Sequence, residues 1–239
     1  MDGQSFPADQ GARVVEDLIR VIQEHRQHLS DIDGAIGDGD HGVNMSKGFT
    51  LAAGELAGGP RDLAHSLRTV SNTLMGSIGG AMGPLYGMLF RGLGKGCEGA
   101  ERIDAAMFGR MLEAAEADLR KVSRAQVGDK TLIDALIPAA RAYARTLKEQ
   151  KSFAECLEAM ARGAEQGRDS TKDLVARVGR ASRLGERSRG TLDAGAASCA
   201  LLLRTLADSI GSRLEAPPPR GAGDSSSGLP SQGPSAEEG

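Results

Sequence analysis

The 239-residue chain has no tryptophan, only 2 tyrosines and 5 phenylalanines. A core this poor in aromatics has to be built from Leu, Ile, Val, Ala and Met, which suits closely packed helices better than a β-sandwich. No apolar run approaches the roughly 20 residues that a membrane-spanning helix needs. The opening MDGQSFPADQ also lacks the basic-then-apolar order of a signal peptide. These absences set the expectation of a cytoplasmic protein with no membrane partner. An excess of one charge is missing too: 29 Lys+Arg face 32 Asp+Glu, a net charge of -3. Nucleic acid is therefore not an expected partner, and any anionic ligand needs a local site. Cys97, Cys156 and Cys199 stand far apart with no C-x-x-C pair, which argues against a disulfide framework or a zinc knuckle.

What the chain has in plenty is helical periodicity and glycine, 33 residues of it. Val14, Val15, Leu18, Ile19 and Ile22 recur at steps of three and four, as do Leu63, Leu67, Val70 and Leu74. Ile103, Met107, Met111, Leu112, Ala115, Leu119 and Val122 extend the same period through a longer segment. Ser152 to Glu155 has the form of a capping box, and Ala196 to Ile210 reads as a deeply buried helix. Alternating strand patterns are absent. From Arg213 onward the chain is rich in Pro, Gly and Ser and too poor in apolar residues to offset its ordering entropy. The expectation is an α domain over residues 1–212 and a disordered tail over 213–239.

Four glycine-rich polar stretches interrupt the helices: 31–48, 76–87, 128–134 and 179–195. Helix bundles usually need only short loops, so four rich ones suggest a site assembled at one end. The first packs Asp31, Asp33, Asp38 and Asp40 among glycines and ahead of His41. Carboxylates so crowded raise one another's pKa unless a cation neutralises them. A solvated Asp/Gly turn is the plain alternative. An EF-hand is disfavoured because position twelve from Asp33 is Asn44, not glutamate. Mg²⁺, commonly held by a few carboxylates and completed by phosphates, fits better. A helix beginning at His41 would point backbone N–H groups at the same place, suiting a phosphate. The stretch from Gly76 to Gly87 permits close backbone approach but lacks the ending of a Walker A loop.

The runs A-I-G-D-G-D-H-G-V-N-M (35–45), G-G-A-M-G-P-L-Y-G (79–87), G-D-K-T (128–131) with Asp134, and G-R-A-S-R-L-G-E-R-S (179–188) followed by D-A-G-A (193–196) together resemble the L subunit of dihydroxyacetone kinases. The resemblance spans nearly the whole chain before the tail. It implies an all-α, up-and-down barrel or bundle of about eight antiparallel helices with a nucleotide site at one end. By the same resemblance Asp33, Asp38 and Asp40 hold magnesium, two ions of it, whereas Asp31 lies outside the motif. His41, Gly42, Val43 and Asn44 meet the phosphates of ADP or ATP. Ala81, Met82, Gly128, Arg180, Asp193, Ala194 and Gly195 line the nucleotide, and Ile137 is a wall for the base. Met82 replaces a serine common in the family, Ile137 a methionine and Ala194 a proline; Arg189 and Leu192 also depart from the commoner residues. Lys130 and Arg187 lie within the motifs, with pairing to Asp129, Asp134 or Glu186 set against phosphate contact. His25, His28 and His65 read as ordinary surface residues.

The activity implied is phosphoryl transfer to a small ketose held by a separate K-type subunit. The donor is either phosphoenolpyruvate, through a phosphohistidine protein of the phosphotransferase system, or ATP. Such chemistry asks for positioning and charge neutralisation, so no residue is assigned as a covalent catalyst. Alternatives are a regulatory module that binds nucleotide without transferring phosphate, and a purely structural barrel. A homo-oligomer is compatible with the sequence.

Overall fold

The computed structural model describes residues 3–216. Nine α-helices account for most of them: α1 (Gly11–Glu24), α2 (Arg26–Gly34), α3 (His41–Leu56), α4 (Leu63–Ser77), α5 (Met82–Gly96), α6 (Ala105–Leu119), α7 (Ile133–Lys148), α8 (Phe153–Ser170) and α9 (Ala194–Gly211). Short 3₁₀ turns at Thr171–Asp173 and Arg180–Ser188 fill the last long connection.

The helices close a ring. The principal packing pairs run α1, α3, α4, α5, α6, α7, α8, α9 and back to α1. α1 and α2 are a single rod broken at His25, so eight rods form the wall, as the resemblance implied. α2 leans on α3 and α9. Because consecutive rods run antiparallel, α3, α5, α7 and α9 all begin at one end of the barrel. That alternation brings four loops, 35–40, 78–81, 120–132 and 171–193, to the same end.

Each apolar stripe does the work its spacing foretold. Val14, Val15, Leu18, Ile19 and Ile22 on α1, and Leu63, Leu67, Val70 and Leu74 on α4, are all buried. All seven aromatic residues lie in the core, so the few large rings go where they remove the most surface from water. Four of the helix starts are set by side chains. Asp62, Asp104 and Asp193 accept from the N–H groups of His65, Met107 and Ala196, and Ser152 with Glu155 completes the capping box. α6 is shorter than its periodicity suggests. Asp104 caps it, Ile103 falls in a strand, and Val122 lies exposed beyond its end.

One small sheet was invisible in the pattern. β1 (Ser5–Pro7) pairs antiparallel with β2 (Arg102–Asp104), with Phe6 opposite Ile103. Strands of three residues are too short to show alternation. They close the far end of the barrel, where Glu215 bridges Ser5 and accepts from Arg102 at 2.8 Å. Leu214 packs on the core, so built structure runs past the expected boundary at residue 212. The remainder of the expected tail, 217–239, lies outside the described residues.

Candidate functional site

The acidic loop is shorter than the glycine-rich stretch containing it. Asp31 to Gly34 end α2, and His41 to Gly48 already belong to α3, leaving a tight reversal over 35–40. Within it Gly39 takes φ +77°. The Asp33 carbonyl accepts from Gly37 N–H at 2.5 Å and from Ile36 N–H at 3.1 Å. The reversal brings ligand oxygens of Asp33, Asp38 and Asp40 within 4.8 Å of one another. Asp31 stands apart, exposed on α2 and accepting from Gln27 at 2.8 Å. The Arg180 guanidinium, from the 3₁₀ segment, pairs with Asp38 and reaches Asp40 at 3.8 Å. A cation therefore already sits against these carboxylates, and an all-oxygen donor set suits a hard divalent ion.

α3 begins directly beside them. His41 N–H points to Asp33 Oδ2 at 3.4 Å, and Asn44 N–H closes the first helical bond to Asp40. Val43 is 42% exposed, whereas His41 is buried. Gly42 serves packing: a Cβ there would fall 1.9 Å from the Arg26 carbonyl oxygen, so glycine is what lets α3 lie against α2. Burial holds the His41 imidazole down to about 4, the charge of Asp33 working the other way; it is neutral near pH 7. Its Nε2 lies 2.8 Å from Ser198 Oγ on α9.

At the start of α5, Ala81 is exposed and Met82 half-buried. Gly83 is required by close approach, since a Cβ would meet the Ile78 carbonyl at 2.1 Å. Ahead of α7, Gly128 adopts φ +102° with open space about it. Its N–H donates to Asp134 Oδ1 at 2.6 Å, while Thr131 N–H donates to Oδ2 at 2.7 Å. Asp134 is thus the clamp of its own loop. At α9, Asp193 caps the helix through Ala196 N–H at 2.7 Å; burial lifts its carboxyl to about 7, that hydrogen bond opposing the rise. Ala194 is buried and Gly195 half-exposed in the first turn.

Two of the expected residues are buried at this end of the barrel. Ile137 is 1% exposed in the core, so it presents almost no surface to a base. Lys130, expected against an acid or a phosphate, is 2% exposed with φ +63°. Its Nζ donates to the carbonyls of Thr171 (2.7 Å), Leu174 (3.3 Å) and Thr191 (2.6 Å). Burial lowers its pKa. Lys130 thereby ties the loop before α7 to the long connection before α9. Glu186 pairs with Arg189, and Arg187 is exposed. Of the three histidines, His28 is exposed, while His25 and His65 are half-buried at helix ends. Sequence reasoning missed Ser198 altogether and placed Tyr86 in a loop. Neither carries a signal in its spacing, because their partners lie more than 100 positions away.

A helical barrel with four helix N-termini and a carboxylate cluster at one mouth has the donor chemistry that suits an oxyanion beside a hard cation. The DAK2 domain profile matches residues 35–208, and the chain belongs to that family. It is 38% identical over 203 residues to the ADP-binding subunit DhaL of PEP-dependent dihydroxyacetone kinase 1 from Listeria innocua, covering 84% of this chain and 96% of that one. It is 36% identical over 191 residues to the corresponding subunit of the PTS-dependent kinase of Lactococcus lactis, covering 79% and 91%. Among solved structures, the dihydroxyacetone kinase of C. freundii in complex with AMP-PNP and Mg²⁺ superposes with a TM-score of 0.60 at 26% identity. That match covers 83% of this chain and 33% of the other.

Proposed function

We propose that this chain is the ADP-binding subunit of a dihydroxyacetone kinase, receiving a phosphoryl group on bound ADP and passing it to a small ketose held by a separate K-type subunit. The observation that carries the proposal is the convergence of Asp33, Asp38 and Asp40 within 4.8 Å at the end where α3, α5, α7 and α9 begin. Asp33, Asp38 and Asp40 would hold two magnesium ions, which would supply positive charge against the phosphates.

The protein's own part is positioning. The N–H groups of His41 to Asn44 offer donors at the positive end of α3. Arg180, paired with Asp38, is a positive charge placed to meet a phosphate at this centre. Ala81, Met82, Gly128 and Asp193 to Gly195 frame the rest of the nucleotide from the other three helix starts. The acceptor ketose is assigned to the partner subunit. The relatives' dependence on phosphoenolpyruvate and the phosphotransferase system supports recharging of bound ADP by a phosphohistidine protein over exchange with free ATP.

The test is transfer of labelled phosphate from phosphoenolpyruvate to dihydroxyacetone. The chain is combined with the K-type and phosphohistidine components of a relative's system. Transfer is expected with the wild-type chain, and Asp38→Asn is expected to reduce it by about 100-fold or more. A chain that binds ADP yet never supports transfer to any ketose would leave only a nucleotide-binding regulator.

A further inference from the structure

We propose that Tyr86 and Ser198 are positioning residues for the nucleotide, their hydroxyls forming a hydrogen-bonded tie across the barrel mouth that sets the starts of α3, α5 and α9 relative to one another. The inference rests on the reading of this mouth as an ADP site.

In the ring of eight rods, α5 and α9 stand opposite each other, and α3 is two places from α9. Neither α3 with α9 nor α5 with α9 is among the principal packing pairs. Backbone packing therefore registers each of these helices against its neighbours but not against the others. Tyr86 lies one turn into α5 and Ser198 one turn into α9, so both reach inward just beneath the mouth. The Tyr86 hydroxyl proton is shared between Ser198 Oγ at 2.5 Å and the Gly195 carbonyl at 3.0 Å. Ser198 Oγ donates to the Ala194 carbonyl at 2.9 Å, and His41 Nε2 lies 2.8 Å from the same oxygen. The His41 and Tyr86 rings meet edge to face at 6.3 Å. With the serine proton on Ala194, His41 donates through Nε2, which fixes its tautomer as well as its position.

Ser198 is 0% and Tyr86 2% exposed. Packing alone would be served by alanine and phenylalanine, and a buried hydroxyl is costly unless its bonds are made. The groups it joins are the ones assigned to the ligand: His41 at the head of α3, Met82 one turn above Tyr86, and Ala194 and Gly195 at the head of α9. A tie of this kind keeps donors from three separate helices at fixed spacing, so that a diphosphate meets them without reorganisation.

The test is calorimetric ADP binding, with Mg²⁺, to Tyr86→Phe, Ser198→Ala and the double variant, alongside denaturant stability without ligand. Tyr143→Phe is the matched control. It loses an equally buried hydroxyl bond, to the Ala105 carbonyl at 2.7 Å, at the opposite end of the barrel. Each single variant is expected to weaken ADP binding roughly tenfold, and the double variant little more, because the tie is broken once. Tyr143→Phe is expected to lose similar stability and bind ADP as the wild type does. Unchanged binding in Tyr86→Phe and Ser198→Ala would overturn the inference while leaving the ADP site standing. Equal weakening in Tyr143→Phe would overturn it too, by making the effect one of global stability. A wild-type chain that binds no ADP would overturn both readings.

Discussion

Asp193, half-buried at the head of α9, and Lys130, buried before α7, show how single charges bear on this end of the barrel. Burial pushes the Asp193 carboxyl up to about 7 in the folded chain, from an ordinary aspartate value of about 3.9 in the unfolded one. Between those values the folded state holds a proton that the unfolded state has released. Its contribution to stability is therefore full below about pH 4 and is lost as pH rises through 7. Asp193→Asn keeps a side chain able to cap α9 and removes the titration. Thermal or urea unfolding at pH 5 and 7.5 should show the wild type losing on the order of 2 kcal/mol more than the variant; parallel profiles would contradict this. Lys130→Met strips three carbonyls of a charged donor and is expected to cost roughly 2–4 kcal/mol, read as a lowered urea midpoint with unchanged slope. Lys130 itself was legible as a motif residue, but its role was not. A lysine that binds carbonyls from a segment 41 to 61 residues away leaves no trace in local spacing.

At the scale of the element, the helices were readable because each stripe of apolar residues obeys one period and four of the starts, those of α4, α6, α8 and α9, carry a side-chain cap. Their ends were less so. The start of α3 at His41 was legible, but the glycine-rich stretches blurred the end of α2 and the beginning of α5, since glycine signals a loop on composition even where it serves helix packing. Gly42 and Gly54, both on α3, separate these two uses. Gly42→Ala drives a methyl into the Arg26 carbonyl and is expected to cost about 3 kcal/mol, forcing α2 and the acidic loop away from α3. Gly54 is exposed, and a Cβ there meets nothing within 4 Å. Gly54→Ala is expected to stabilise the chain by about 0.5–1 kcal/mol through helix propensity. Chemical denaturation of the two variants checks both signs.

Over the whole molecule, the up-and-down course of eight rods makes the site. Antiparallel neighbours place every second helix start at one mouth, so loops from four distant parts of the sequence become one surface without any long-range motif to announce it. The carboxylates were legible because they crowd into ten positions. The tie through Tyr86 and Ser198 was not, because it exists only once the ring closes. A ligand gripping several helix starts also stabilises the entire barrel. ADP with Mg²⁺ at a hundredfold its Kd should add about 2.7 kcal/mol, raising Tm by roughly 5–10 °C.

The most direct measurement is a calorimetric titration of the purified chain with ADP, in Mg²⁺ and again in EDTA, on the wild type and on Asp38→Asn. The account predicts one ADP per chain, bound about 100-fold more tightly in Mg²⁺, with that gain abolished in the variant. Equal affinity in Mg²⁺ and EDTA for the wild-type chain would contradict it.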